Sequence, residues 1–239
     1  LTRVPTQRQI CAFVDILGGA QLYLNKHPER AKQFFECVKE FERRLNNWSH
    51  HLPHRRRSSA LVKTFSDNVV VAFPFGSSEK LDDQQLVSLF LTELKHQVHE
   101  FTLYAGFPLR GGVSVGQLLF TDRLVYGPAL VEAVRLEKEA LFPRVVLGDS
   151  VLKYIKNSPS SRLAVRDSDG KNFLHYLGEG SSCMLHKSFV HAGLRDNSAH
   201  THERQKYEWL AQYHNFSARA AGRPEFCVDI ERPDAFSLN

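Results

Sequence analysis

Apolar residues follow two rhythms along this chain: short dense runs, and longer stretches in which they recur every three or four positions. Residues 9–17, Gln-Ile-Cys-Ala-Phe-Val-Asp-Ile-Leu, are a dense run that predicts a buried strand ending at Gly18-Gly19. Residues 31–48 carry apolar side chains at 34, 35, 38, 41, 45 and 48, the stripe of an amphipathic helix. A polar loop over 50–59 follows. Residues 60–65 and 69–73 are β-branched or aromatic runs joined through Ser66-Asp67-Asn68, which is hairpin chemistry. Pro74 and Gly76 then interrupt the chain.

Residues 81–104 predict a second helix, with Leu86, Leu89, Phe90, Leu94, Val98 and Phe101 on one side. Residues 109–120 predict a pair of strands around Arg110-Gly-Gly-Val-Ser-Val-Gly116, and Pro128 opens a third helix over 127–141. Val145–Leu147 reads as a strand. Residues 162–165 and 173–177 flank Asp167-Ser-Asp-Gly170 as a second hairpin, and 202–221 form a last helix bearing Tyr207, Trp209, Leu210 and Tyr213. The order β-α-β-β-α-β, then α-β and a tail, predicts an α/β (α+β) fold of the ferredoxin-like, split βαβ type. Residues 1–155 form the expected core. Residues 156–239 form a hairpin and helical extension packed on the same domain.

The 239 residues suffice for a full core, and 42% hydrophobic with 24% charged residues is the balance of an ordinary globule. The net charge of +5 is mild but uneven, because His50, His51, His54, Arg55, Arg56 and Arg57 form one basic run. Such a run reads as a solvated loop or as attraction for a polyanion, nucleotide or RNA. The four cysteines are widely spaced with no Cys-x-x-Cys pair, which argues against a zinc ribbon or a disulfide framework and suits a reducing compartment. No apolar run approaches the roughly 20 residues that span a bilayer, and no signal-peptide pattern is visible. A soluble, cytoplasmic protein without direct membrane contact is expected.

Candidate chemistry centres on two aspartates. Asp15 lies inside Phe-Val-Asp-Ile-Leu, where a carboxylate needs a partner or a metal to offset its lost hydration. Asp67 alone reads as an ordinary turn residue, but if the two strands are neighbours both carboxylates can hold divalent metal in one place. Metal at a strand end is suited to phosphoryl transfer. Gly18 and Gly19 allow backbone N–H groups to approach an anionic oxygen. Lys63, four residues before Asp67 and so on the same strand face, reads either as an edge-strand charge or as a donor to a nucleotide base. Arg135 reads as a surface ion pair with Glu132 or Glu139, or as a clamp on phosphoryl oxygens. Other clusters are poorer: His96 and His99 lack zinc-protease order, Asp167-Ser-Asp-Gly lacks a glutamate at loop position twelve, and no Ser or Cys sits in a nucleophile elbow.

Four segments in order, Phe-Val-Asp15-Ile-Leu-Gly, Lys63-Thr-Phe-Ser-Asp67, Leu109-Arg-Gly-Gly-Val-Ser-Val-Gly116 and Gly127-Pro-Ala-Leu-Val-Glu-Ala-Val-Arg135-Leu, resemble the class III nucleotidyl cyclases. The resemblance spans roughly residues 10–150 and implies a ferredoxin-like catalytic core used as a head-to-tail homodimer. It implies two divalent metal ions, Mn²⁺ or Mg²⁺, held by Asp15, Asp67 and the Ile16 carbonyl. Phe13, Gly18, Gly19 and Lys63 fall in its nucleotide-binding set. Arg135 matches the arginine that the opposite protomer supplies to the α-phosphate.

Two positions depart from the family pattern: Val131 stands where a ribose-orienting asparagine is usual, and Leu124 where a purine-reading polar residue is usual. With the short segment between Gly116 and Gly127 and the long tail, this is similar to the bacterial pyrimidine cyclases of the Pycsar antiphage system. The implied activity is conversion of UTP to cyclic UMP and pyrophosphate, a second messenger for a separate effector in antiviral defence. The alternatives are a cytidylate cyclase making cyclic CMP and a degenerate cyclase-fold module that only binds nucleotide. A nucleic-acid binder using His54 to Arg57 is a further rival, although no interleaved aromatics support it.

Overall fold

The computed structural model describes residues 6–18, 28–51, 60–76, 81–177, 183–197, 201–230 and 236–238. Strand β1 (Gln7–Ile16) is followed by helix α1 (Pro28–His51), then β2 (Leu61–Phe65) and β3 (Asn68–Pro74), then α2 (Asp83–Glu100). Next come β4 (Leu109–Phe120), β5 (Val125–Tyr126), α3 (Pro128–Glu139) and β6 (Val145–Leu147). The chain continues through α4 (Asp149–Ile155), β7 (Ala164–Arg166), β8 (Asn172–Leu174), α5 (Cys183–Asp196), α6 (His202–Ala220) and β9 (Ser237–Leu238).

The sheet runs β2-β3-β1-β4-β6-β8-β7-β9, with β5 folded back on β4. Its first four strands are all antiparallel and carry the predicted ferredoxin-like order, with β1 central between β3 and β4. Strand β1 is therefore buried on both faces, which is why its sequence is a dense apolar run. Ile10, Ala12, Val14 and Ile16 face the main core, where α1 brings Phe34, Val38, Phe41 and Leu45 and α2 brings Leu86, Phe90, Leu91 and Leu94. Phe35, read as part of the buried stripe, is instead 53% exposed, because six apolar positions make a wider stripe than the sheet covers. Asp82 caps α2 in a reciprocal capping box with Gln85, and the helix widens into a π turn over Phe101–Ala105 that ends at left-handed Gly106.

Residues 109–120 form one strand of twelve rather than a pair. Its glycines are not turn residues; Gly112 and Gly116 let a helix lie close, and Gly111 lies against the backbone of β1. On the face opposite the main core, a Cβ at Gly112 would sit 2.3 Å from the Ala133 carbonyl oxygen, while Ser114 Oγ donates to the Ala129 carbonyl at 2.5 Å. Helix α3 is thus seated on β4 backbone to backbone, over a small cluster of Cys11, Val70, Ala72, Leu118, Ala129 and Ala133. The hairpin about residues 167–170 is present, but α4 and α5 were not foreseen, and the extension is a helix pair rather than one helix.

Two polar networks attach that extension. Arg144 is fully buried; its guanidinium pairs with Asp167 and Asp169, its Nε donates to the Ala140 carbonyl at 2.9 Å, and Trp209 Nε1 donates to Asp167 at 2.8 Å. A second network has a direction. His214 Nε2 donates to the Phe226 carbonyl at 2.9 Å, so its Nδ1 accepts from His186 Nδ1 at 3.2 Å, and His186 Nε2 accepts from the Tyr176 hydroxyl at 3.1 Å. The Tyr213 hydroxyl accepts from the Tyr176 and Leu177 amides and so donates to His175 Nδ1 at 2.8 Å. All three histidines are neutral in this arrangement.

Arg144→Ala leaves Asp167 buried without its counter-charge, and unfolding in urea should show a loss of about 3–5 kcal/mol. Burial pushes His175 down to about 4, aided by the positive charge of Lys95, and burial also pushes His186 and His214 below their ordinary value. The unfolded chain takes up these protons near 6.5 and the folded chain does not, so stability is full above that pH and falls below it. The melting temperature should drop as pH is lowered from about 6.5 to 4, less steeply for His175→Gln.

Candidate functional site

Asp15 ends the central strand and Asp67 sits in the β2–β3 turn. The ladder places Asp15 opposite Asn68, and the Ile16 amide donates to the Asp67 carbonyl at 2.8 Å, so the hairpin turn is tied to the strand end. A two-residue turn of this kind favours a positive φ, and Ser66 takes +59°. The two carboxylates share a cleft of about 590 Å³ with Ile16 and Gly18, and Arg30 and Lys206 also line it. Gly18 has φ +93° with open space around it, where only glycine is unstrained. Gly19 lies outside the described residues, as do residues 52–59 of the basic run; His50 and His51 are the final turn of α1 rather than loop.

Burial pushes the Asp15 carboxyl above its usual range; Arg110 pulls it back, and the negative charges of Asp67 and Glu137 push it further up. Asp67 Oδ1 accepts from its neighbour Asn68 at 3.1 Å. This is an oxygen-donor set carrying surplus negative charge in a partly dry place, and it fits a hard divalent cation. Among the described residues there is no group of three or more His, Cys, Asp or Glu placed to hold a metal, so Asp15, Asp67 and the Ile16 carbonyl would leave several coordination positions to water or to substrate oxygens, the habit of Mg²⁺.

The remaining predicted residues lie elsewhere. Strand β2 stops at Phe65 and Asp67 belongs to the turn, so strand alternation does not carry Lys63 to the face of Asp67. Lys63, on the edge strand, donates to the Thr121 and Asp122 carbonyls at 3.1 and 2.7 Å, gripping the β4–β5 turn that presents Leu124. Phe13 packs near Phe65, ring centroids 6.2 Å apart, on the α3 side of the sheet. Arg135 projects from the exposed side of α3, held by Glu132 at 2.7 and 2.8 Å and by Glu139, and Val131 one turn earlier is 66% exposed.

Two residues of the site were missed. Arg110 stands directly opposite Asp15 in the β1–β4 ladder and donates to its Oδ2 at 3.0 Å. Glu137, buried beneath α3, meets the same guanidinium nitrogen at 2.5 Å. Both were legible: an arginine in an apolar strand needs a partner for the reason Asp15 does, and Glu137 continues the 129, 133 spacing of the helix's inner face.

No family model and no curated protein matches the chain. Solved structures do. The adenylyl cyclase CyaB from P. aeruginosa aligns over 72% of this chain and 95% of its own, with 17% identity and a TM-score of 0.50. A monomeric guanylyl cyclase domain of the RhoGC fusion protein from the aquatic fungus Blastocladiella emersonii aligns over 70% of this chain and 94% of its own, with 11% identity and a TM-score of 0.52. The catalytic core of a rhodopsin-guanylyl cyclase with converted specificity, in complex with ATPαS, aligns over 71% and 95%, with 13% identity and a TM-score of 0.52. The chain has the fold of a nucleotidyl cyclase catalytic domain, with a mixed sheet and helices arranged as in those proteins.

Proposed function

We propose that the chain is a divalent-metal-dependent nucleotidyl cyclase acting on a pyrimidine nucleoside triphosphate, UTP in preference to CTP, and forming cyclic UMP and pyrophosphate. The observation that carries this reading is the convergence of Asp15 and Asp67 on one cleft in a cyclase fold. The ribose 3′-oxygen bonds to the α-phosphorus, the bond from that phosphorus to the bridging β-phosphate oxygen breaks, and the hydroxyl proton leaves with solvent. Bound Mn²⁺ or Mg²⁺ supplies Lewis-acid lowering of the hydroxyl pKa and charge neutralisation at the phosphates. Asp15, Asp67 and the Ile16 carbonyl would hold it, and Gly18 would keep the adjoining backbone open to phosphate.

Arg135 acts in a homodimer, where it leaves Glu132 and Glu139 to meet the α-phosphate of the neighbouring site, together with Lys63 from the same subunit. Apolar Phe65, Leu124, Tyr126 and Val131, all exposed in the single chain, support a covered surface on this side. Leu124, in the turn that Lys63 grips, offers no hydrogen bond to a purine edge and supports a pyrimidine substrate. The product, by the same resemblance, signals to a separate antiphage effector. Val131 supports the rival reading, a nucleotide-binding module without turnover.

Incubation with each of four nucleoside triphosphates and Mn²⁺, with products identified by mass, should yield cyclic UMP from the native chain. Asp15→Asn and Asp67→Asn should yield none while keeping the native circular dichroism; near-native turnover by either removes the two-carboxylate model, and nucleotide binding without any product favours the rival. Arg135→Ala should lower kcat by about 10²–10³, the scale of losing one donor to a developing charge. Mixing Arg135→Ala with Asp15→Asn protein should restore turnover, since one site of the mixed dimer is then complete. Failure to restore it, with both proteins folded, counts against sites shared between subunits.

A further inference from the structure

Resting on the cyclase reading above, we infer that Lys206, on a helix of the C-terminal extension, binds the terminal phosphates of the substrate in the subunit that carries it. The cleft holding Asp15 and Asp67 is not enclosed by the core alone. One wall is built by α5 and α6, which bring Phe189, Gly193, Glu203, Lys206 and Tyr207 to it. Its volume of about 590 Å³ suits a ligand of nucleotide size.

Close contact sets this wall. A Cβ at Gly193 would lie 2.0 Å from the Tyr207 ring, so α5 and α6 meet there with no side chain on the α5 side. Tyr207 also packs on Phe189, ring centroids 5.7 Å apart. Lys206 is the residue before Tyr207, and Trp209, one turn further on, is tied to Asp167 at 2.8 Å. The backbone of Lys206 is therefore held on both sides.

Lys206 is poorly placed for a surface ion pair. Its side chain is 16% exposed, whereas Glu203, to which its Nζ donates at 3.0 and 3.2 Å, is 45% exposed. A solvated pair at this helical spacing adds little stability and does not require a covered lysine. A lysine stem lying on apolar surface leaves its charged head at open space, and here that space is the cleft of the two carboxylates.

The charges lining the cleft come from different elements. The strand end and the β2–β3 turn bring Asp15 and Asp67; α1 and α6 bring the cations Arg30 and Lys206. Burial pushes the Tyr207 phenol up, the charge of Glu203 adds to this, and Arg30 pulls it back, which sets Arg30 near the residue that follows Lys206. Pyrophosphate gains negative charge as its bond to the α-phosphorus breaks, and an ammonium beside it offsets that charge. Lys206 does this by leaving Glu203, for which a flexible point charge is suited.

Calorimetric titration of the full chain with inorganic tripolyphosphate in Mg²⁺ reads this subsite without a base or a reaction. Lys206→Gln should bind it about 10–100-fold more weakly than the native chain, the scale of one charged hydrogen bond, while binding Mn²⁺ alone as the native chain does. Lys206→Arg should recover most of the affinity. Glu203→Gln should bind at least as tightly as the native chain, because the lysine loses its competitor. With nucleotide, Lys206→Gln should raise KM by about 10–100-fold. Melting curves verify folding, and Lys206→Met, which keeps the covered stem, replaces Lys206→Gln if the latter melts early. Native affinity for tripolyphosphate in the folded variant, equal weakening by Glu203→Gln, or no binding by the native chain overturns the inference. Lys206-dependent binding of tripolyphosphate by a chain that makes no cyclic nucleotide keeps the subsite and removes the cyclase reading, a distinct failure.

Discussion

A carboxylate at the end of an apolar strand is the constraint on which the rest of this molecule is arranged. Asp15 gives up much of its hydration because β1 lies in the middle of the sheet, and that loss must be offset locally. Arg110 offsets part of it from the neighbouring strand. Asp67 and Glu137 act the other way, and their negative charge pushes the Asp15 carboxyl further up. Two acids, Asp15 and Glu137, share the one guanidinium nitrogen of Arg110, an arrangement that stability alone does not favour.

The sheet serves this site with unequal faces. One carries a thick core of large aliphatic and aromatic residues from α1 and α2, which holds β1 and β3 rigidly in register. The other is thin: among the described residues α3 alone lies on it, drawn close by glycine and serine in β4. The exposed side of α3 bears Val131 and Arg135, and neither reaches the cleft of the chain that carries them. The extension beyond β6 is attached by buried polar networks as well as by aromatic packing, so its docking is specific in orientation and sensitive to acid.

Much of the core fold was legible because its strands and helices differ in period, and the turn at Ser66-Asp67 announces itself by composition. The strand order follows from the order of elements. Asp15 was legible since charge inside an apolar run is conspicuous; Arg110 had the same signal but was masked by the glycines around it, which suggested a turn. Gly112 and Gly116 answer to the helix that follows and Gly111 to strand β1, and no local pattern reports such contacts. The helix over 183–196 was missed because its polar residues include buried His186, which breaks the apolar stripe that periodicity detects. Lys63 was assigned to the face of Asp67 by counting along a strand that ends before reaching it.

The close seat of α3 has a further consequence. With Gly112 allowing no side chain between strand and helix, the spacing from Asp15 to the helix bearing Arg135 is set by main-chain atoms, which do not adjust as side-chain packing does. Whatever docks against that helix is therefore measured from the acidic strand end by a rigid ruler. Glu137 and Arg110 span the same gap and link the helix to Asp15 by side-chain charge as well.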